Sequence, residues 1–149
     1  DDVGTIADAS RERGIHVVLM APIPVFKGNP KGFPVELCSI QWYRPAMPKG
    51  CDGAFTERRS LQEARLSTIN QNLDKLAKRH SNLHIYKPFD AFCPQNKQSC
   101  FTYANGKRLY RDDNHLSING SLLIAPDFLR FLEARRLIQI PSDQQAKRQ

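Results

Sequence analysis

Two short apolar segments limit what this chain can fold into. Residues 15–20 (IHVVLM) form a nearly continuous apolar run, residues 83–86 (LHIY) form a second one, and prolines follow at Pro22 and Pro88. The first run suits a strand that is covered on both faces of a parallel sheet, and proline ends a strand because it cannot donate to the ladder. The sequence therefore predicts two short strands.

Three segments space their apolar residues as a helix does, and each has a start or stop signal. Residues 2–13 end before Gly14, residues 56–80 begin with the cap Thr56, and residues 117–137 begin with the cap Ser117. The apolar residues expected to face the core are Val3, Ile6 and Ala7 in the first helix, Leu66, Ile69, Leu73, Leu76 and Ala77 in the second, and Leu122, Leu123, Phe128, Leu129 and Leu132 in the third. Pro126 could kink or split the third helix.

The order helix, strand, helix, strand, helix indicates an α/β layer fold with a parallel sheet. Two strands are fewer than the usual sheet of about five or six, so a fold with both sheet faces covered needs further strands. We therefore expect residues 1–138 to be the C-terminal part of a larger domain. Residues 139–149 end in the polar run PSDQQAKRQ and are expected to form a loose tail.

The chain is basic, with a net charge of +7, which favours polyanionic neighbours in general. The basic residues are dispersed, however, and no signature of a nucleic-acid-binding fold accompanies them. Solvated faces explain most of these charges, and nucleic acid is not an expected partner. No apolar run approaches the roughly 18 residues that a membrane span requires.

Four cysteines lie in two separate loops, with twelve residues between Cys38 and Cys51 and six between Cys93 and Cys100. Structural zinc sites usually place about two to four residues between paired cysteines, so these spacings fit zinc poorly. We favour two local disulfides, Cys38–Cys51 and Cys93–Cys100, although four cysteines permit three pairings. Such bridges would place the protein in an oxidising compartment.

The run at residues 110–117 (YRDDNHLS) carries the residues best suited to catalysis. It ends the long segment 87–116, which follows the second strand and should leave the carboxyl edge of the sheet, where open α/β folds place their sites. His115 could take a proton from a hydroxyl, and Asp112 could orient its ring. The alternative is that Asp112 shapes a turn and His115 is an ordinary histidine, as we interpret His16, His80 and His84.

This block resembles a known family. Tyr110, Asp112, the run His115-Leu116-Ser117 and Gly120 look like the last conserved block of SGNH (GDSL-type) esterases and acyltransferases. The chain is similar in particular to the periplasmic domain fused to membrane acyltransferases that O-acetylate lipopolysaccharide O-antigen and related glycans. The resemblance covers residues 12–135 approximately. It implies a three-layer α/β/α, flavodoxin-like domain in which Asp112 and His115 serve a serine nucleophile without metal or cofactor.

The chain contains no convincing nucleophile of its own. The family places its serine in a Gly-Asp-Ser turn after the first strand, and no such turn occurs here. Ser10, in Asp8-Ala9-Ser10, falls within a predicted helix and is a poor substitute. Asn119-Gly120-Ser121 follows the histidine, formally matches a glycosylation triplet, and is assigned no role. We expect the serine, the oxyanion-hole residues and the missing strands to precede Asp1.

The resemblance implies an O-acetyltransferase that acts on a surface glycan with an acyl donor delivered by a membrane acyltransferase domain. It also implies tethering through the missing N-terminal region and a location at the periplasmic face of the bacterial inner membrane. A secreted or periplasmic carbohydrate acetylesterase with water as acceptor is one alternative. A non-catalytic glycan-binding module is another. The isolated chain should be inactive because it lacks the serine.

Overall fold

The computed structural model describes residues 2–26, 56–105 and 107–139. Helices and strands alternate along the described chain. Their order is α1 (Asp2–Arg11), β1 (Val17–Met20), β2 (Thr56–Arg58), α2 (Arg59–Arg79), β3 (Leu83–Tyr86), α3 (Phe89–Phe92), β4 (Ser99–Phe101), β5 (Tyr103–Ala104), β6 (Lys107–Arg108) and α4 (Ile118–Ala134). The predicted order of three long helices and two apolar strands is confirmed.

The two apolar runs form a parallel pair, β1 beside β3, in a register that runs from Val17 opposite Leu83 to Met20 opposite Tyr86. The Ala21 N–H extends the ladder by donating to the Tyr86 carbonyl at 2.8 Å. The prediction that β1 is buried on both faces was wrong, because its first three residues are half-buried and Met20 is 49% exposed. Among the described strands only β3 lies beside β1, so the other edge of β1 pairs with no described strand.

Helix α1 ends as its glycine predicts. Gly14 adopts φ +68°, a left-handed conformation that glycine enters without strain. Its N–H donates to the Arg11 carbonyl, and the Ile15 N–H donates to the Ser10 carbonyl, each at 2.9 Å. These two bonds define a Schellman motif, which turns the chain directly into β1.

The inner face of α1 packs on the sheet through fewer residues than predicted. Ala7 is fully buried in a cluster with Leu76 and Leu83, and Val3 packs against that cluster. Ile6 is 57% exposed, so its predicted place in the core was wrong. The helix is tied down by Asn82, whose side-chain amide donates to the Ala7 carbonyl at 2.7 Å.

Helix α2 begins at Arg59, two residues later than a cap at Thr56 would place it. Thr56 does not cap it, because residues 56–58 are extended and pair with β4, with Thr56 opposite Phe101. The helix ends at Arg79, close to the predicted His80. Leu66 and Leu76 are buried, but Ile69 is 47% exposed, so the predicted apolar stripe is only partly correct.

Helix α4 begins where Ser117 predicts, and the Ser117 hydroxyl accepts a hydrogen bond from the Gly120 N–H at 3.2 Å. It continues through Pro126 and ends at Ala134, earlier than predicted. A second Schellman motif stops it, with Arg136 at φ 56° and the Leu137 N–H bonded to the Leu132 carbonyl at 3.0 Å. Because Arg136 is not a glycine, the sequence did not indicate that the helix ends here.

The buried face of α4 differs from the predicted one. Leu122 and Leu123 are 64% and 40% exposed, which makes both predictions wrong. Ile124 is buried instead. Phe128 packs on Tyr86 as predicted, and Phe131 packs there as well, with ring centroids 4.9 and 5.2 Å from that of Tyr86. No helix in the described ranges combines the length and apolarity that crossing a bilayer requires.

The segment 87–116, predicted to be mostly loop, contains α3 and three short strands. β4 pairs antiparallel with β2, and β5 pairs antiparallel with β6. The segment contributes to the main core cluster, whose buried members are Phe26, Tyr86, Phe92, Cys93, Cys100, Leu109, Tyr110 and Ile124. This core carries the turn that connects β6 to α4.

Candidate active site

A tight turn brings Asp112 and His115 together. One carboxylate oxygen of Asp112 accepts hydrogen bonds from the backbone N–H groups of Asn114, at 3.1 Å, and of His115, at 2.7 Å. Aspartate commonly stabilises turns by bonding backbone groups two or three residues ahead. The Arg111 N–H closes the base of the turn by donating to the His115 carbonyl at 2.8 Å. Local chemistry therefore suffices to form this turn.

The same carboxylate orients the imidazole. Nδ1 of His115 lies 2.9 Å from each oxygen of Asp112. An ionised carboxylate only accepts hydrogen bonds, so Nδ1 carries the proton and Nε2 of the neutral ring is left as a base. The His115 side chain is 71% exposed, against 31% for Asp112. The ring is thus held from one side and open to a reacting hydroxyl on the other.

Asp112 is ionised at neutral pH. The backbone N–H of Asn114 lowers its pKa most, the N–H and ring of His115 lower it further, and desolvation opposes them. A carboxyl group whose pKa is lower in the folded protein stabilises the fold above its unfolded pKa. That stabilisation disappears as the pH falls through the folded pKa, so the Asp112–His115 pair is intact around neutrality.

Tyr110 and Leu116 anchor the two ends of the turn in the core, where they form an isolated antiparallel bridge. Tyr110 is fully buried, and its ring contacts Phe26 and Phe92 edge-on, with centroids 5.0 and 5.3 Å away. Burial raises the pKa of its phenol, so Tyr110 stays neutral and acts as a packing residue. Leu116 packs against the same cluster, as the sequence predicts.

The start of α4 lies directly on the backbone before the turn. The Ser117 N–H donates to the Leu109 carbonyl at 2.9 Å, and its hydroxyl donates to the Arg108 carbonyl at 2.5 Å. A Cβ on Gly120 would lie 2.1 Å from the Leu109 carbonyl oxygen. Only glycine fits at this approach, which accounts for Gly120 in the sequence block.

A disulfide joins Cys93 and Cys100, one of the two expected local bridges. Both cysteines are fully buried beside the core that supports the turn. Cys100 lies opposite Glu57 in the β2–β4 pair, so the bridge ties that pair to the end of α3. The other expected bridge, Cys38–Cys51, lies outside the described residues.

We expect the double variant Cys93→Ala/Cys100→Ala to lower the free energy of unfolding by about 2.5 kcal/mol, because the bridge closes a short loop and restricts the unfolded chain. Urea unfolding of the variant and the wild type measures the difference. Repeating both titrations with a reductant controls for any other bridge. Equal midpoints without reductant would contradict a stabilising role.

The Arg59 side chain makes several contacts between elements that the sequence did not predict. Its guanidinium donates to the Cys93 carbonyl and to Asp90, the latter at 2.9 Å, and Nε donates to Glu63 at 2.8 Å. The group also stacks on the Phe89 ring, 5.1 Å from its centroid. Apart from the Arg59–Glu63 spacing of four residues, no sequence pattern indicates these contacts. Arg59 thereby fastens α3 and the disulfide to the start of α2.

The remaining histidines make contacts elsewhere. Nδ1 of His80 lies 3.0 Å from Asp8. Nδ1 of His16, just before β1, lies at hydrogen-bond distance, 3.0 Å, from Nε2 of His84 in β3. Desolvation, assisted by His16 and Arg135, lowers the pKa of His84. These contacts link neighbouring elements, which agrees with their interpretation as structural residues.

Comparison with protein-family models decides the family. Residues 3–130 match the SGNH domain (fused to AT3 domains). The chain belongs to this family. Its helices and parallel strand pair agree with the α/β fold expected for an SGNH domain. The membership associates the chain with acyl transfer. Searches of curated proteins and of solved structures gave no match.

The described part of this SGNH domain places Asp112 beside the ring of His115 and shows no serine hydroxyl bonded to that ring. Within the described ranges, the hydrogen bonds of the His115 ring go to Asp112 alone. Ser10 lies in α1, as predicted, and Asn119 donates to the Arg108 carbonyl at 3.4 Å. Ser121 is an exposed residue in the first turn of α4. None of these three residues contacts the His115 ring in the structure.

Proposed function

We propose that the complete protein is an O-acetyltransferase acting on a cell-surface glycan such as lipopolysaccharide O-antigen. Asp112 and His115 supply the carboxylate and the base of a Ser-His-Asp triad. One observation carries the proposal: the Asp112 carboxylate binds Nδ1 of His115 while the turn's own N–H groups hold that carboxylate in place. Membership of the family fused to AT3 domains supports acyl transfer.

The geometry suits a two-step transfer. Nε2 of His115 takes the proton of the serine hydroxyl while the serine oxygen attacks the acyl carbonyl of the donor. His115 returns that proton to the donor's leaving group, and an acyl-serine remains. In the second step His115 deprotonates a sugar hydroxyl, whose oxygen attacks the acyl-serine, and the proton returns to the serine. Asp112 stays ionised and stabilises the imidazolium in both steps.

The nucleophile belongs, in this proposal, to a part of the protein that precedes residue 1. Residues 1–138 then form the C-terminal part of the SGNH domain, and the preceding part supplies the Gly-Asp-Ser turn, the oxyanion-hole residues and strands beside β1. The half-buried state of β1 supports this arrangement. A preceding sequence without a Gly-Asp-Ser turn would count against it directly.

The proposed setting is the periplasmic face of the inner membrane. A membrane acyltransferase domain in the missing N-terminal region delivers the acyl group and tethers the SGNH domain, and a surface polysaccharide accepts it. Two observations support this setting: the family's fusion to AT3 domains and the Cys93–Cys100 disulfide, which suits an oxidising compartment.

Transfer of isotope-labelled acetyl groups by the complete protein tests the function. We expect label to appear as acetyl esters on the surface glycan, measured by mass spectrometry, and to disappear when the protein is deleted. Free labelled acetate without glycan esters would indicate the acetylesterase instead. Glycan binding without either product would indicate a non-catalytic module. The 149-residue chain alone should not turn over a chromogenic acetate ester.

A further inference from the structure

Gln62, in the first turn of α2, makes an unusual set of contacts for a helical residue. It is fully buried on α2. Its side-chain oxygen accepts from the Val25 N–H at 3.2 Å, and its side-chain nitrogen donates to the Val25 carbonyl at 2.7 Å and also to Glu57. The amide therefore satisfies both backbone groups of one residue, 37 positions away, as a neighbouring strand would.

The next residue along the chain contacts the catalytic turn. The Phe26 N–H donates to the Asp113 carbonyl at 2.8 Å. The Phe26 ring is buried and packs edge-on against Tyr110, with centroids 5.0 Å apart. Asp113 lies between Asp112 and the two N–H groups that hold the Asp112 carboxylate. A fixed Asp113 carbonyl therefore limits how this peptide unit can rotate.

We infer that Gln62 is a positioning residue for the Asp112–His115 pair and that it acts through Val25, Phe26 and Asp113. With both backbone groups of Val25 bonded to Gln62, the Phe26 N–H is held towards the turn. This inference rests on the proposed function for the catalytic role of the turn, but not for the contacts by which Gln62 positions it. The competing interpretation is that Gln62 merely fills space between α2 and the segment 24–26.

The chemistry of position 62 favours glutamine over its isosteres. An amide donates and accepts at once, whereas a carboxylate only accepts and a thioether does neither usefully. A carboxylate at position 62 would also place a second negative charge next to the Glu57 carboxylate, which is paired with Arg65 at 2.7 Å. The Val25 carbonyl has a second contact with Arg65, but at 3.5 Å that bond is weak.

The test compares Gln62→Met with Gln71→Met, an exposed position on the same helix, in the 149-residue chain. Long-range nitrogen NMR reports which ring nitrogen of neutral His115 carries the proton. We expect the Nδ1–H form in the wild type and in Gln71→Met, and a mixture with the Nε2–H form in Gln62→Met. The Phe26 amide should exchange with solvent at least roughly tenfold faster in Gln62→Met.

Gln62→Glu keeps the acceptor but loses the donors and places a second carboxylate beside Glu57, so it should change both measurements at least as much as Gln62→Met. Gln62→Asn, which keeps the amide on a shorter side chain, serves as the second variant if Gln62→Met does not fold. An unchanged His115 tautomer in a folded Gln62 variant would overturn the inference and leave Gln62 a space-filling residue. These measurements need no turnover. A complete protein that is inactive while its His115 keeps the Nδ1–H form would instead contradict the proposed function alone.

Discussion

Replacing His115 by alanine in the complete protein should lower acetyl transfer by roughly 10⁴–10⁶-fold. The variant keeps the turn, because Asp112 still accepts the N–H groups of Asn114 and residue 115. It loses only the group that moves protons between serine, donor and sugar. Initial rates of labelled acetyl incorporation, corrected for the amount of folded protein, measure the effect.

His80 offers a control, because the chain contains a second His–Asp pair with a similar distance between Nδ1 and a carboxylate oxygen. Nδ1 of His80 lies 3.0 Å from Asp8, close to the 2.9 Å between His115 and Asp112. His80→Ala removes an imidazole from a carboxylate outside the turn and should leave the rate within a fewfold of wild type. Acetylation that survives in His115→Ala would show that the turn is not catalytic and would favour a binding module.

Several features that the sequence predicted have partners that lie within a few residues. Ser117 caps α4 through a bond to the Gly120 N–H, and Asp112 reaches His115 three positions later. Gly14 ends α1 through a motif that spans six residues. In these three cases the residue type determines which local bonds can form, so the local pattern is enough to predict the feature.

The features that the sequence did not predict depend on partners far along the chain. Thr56 has the residue type of a helix cap, but its pairing opposite Phe101 keeps it extended. Leu122 has the spacing of a core residue, but the face of α4 that packs on the core carries Ile124 and Phe131, neither of which was predicted to be buried. The bonds from Gln62 to Val25 join positions 37 residues apart. No local pattern encodes which surfaces meet.

Gly120 shows how a local signal and a long-range contact act at one position. It lies in the first turn of α4, where alanine would normally stabilise a helix by about 1 kcal/mol relative to glycine. The Leu109 carbonyl blocks that gain, because a Cβ on residue 120 would lie 2.1 Å from its oxygen and 3.1 Å from the Leu116 side chain. The carbonyl also accepts the Ser117 N–H at 2.9 Å, so moving it breaks the bond that starts the helix.

We therefore expect Gly120→Ala to lower the free energy of unfolding by about 3 kcal/mol, the upper part of the range for overpacked sites, because backbone must shift rather than a side chain. Ser121→Ala, at the exposed neighbouring position, should leave stability unchanged or slightly raised. Urea unfolding of both variants measures the contrast. Because the displaced backbone leads into the turn, the Nδ1–H form of His115 should also become less populated in Gly120→Ala. A Gly120→Ala protein as stable as Ser121→Ala would show that α4 does not depend on this close approach.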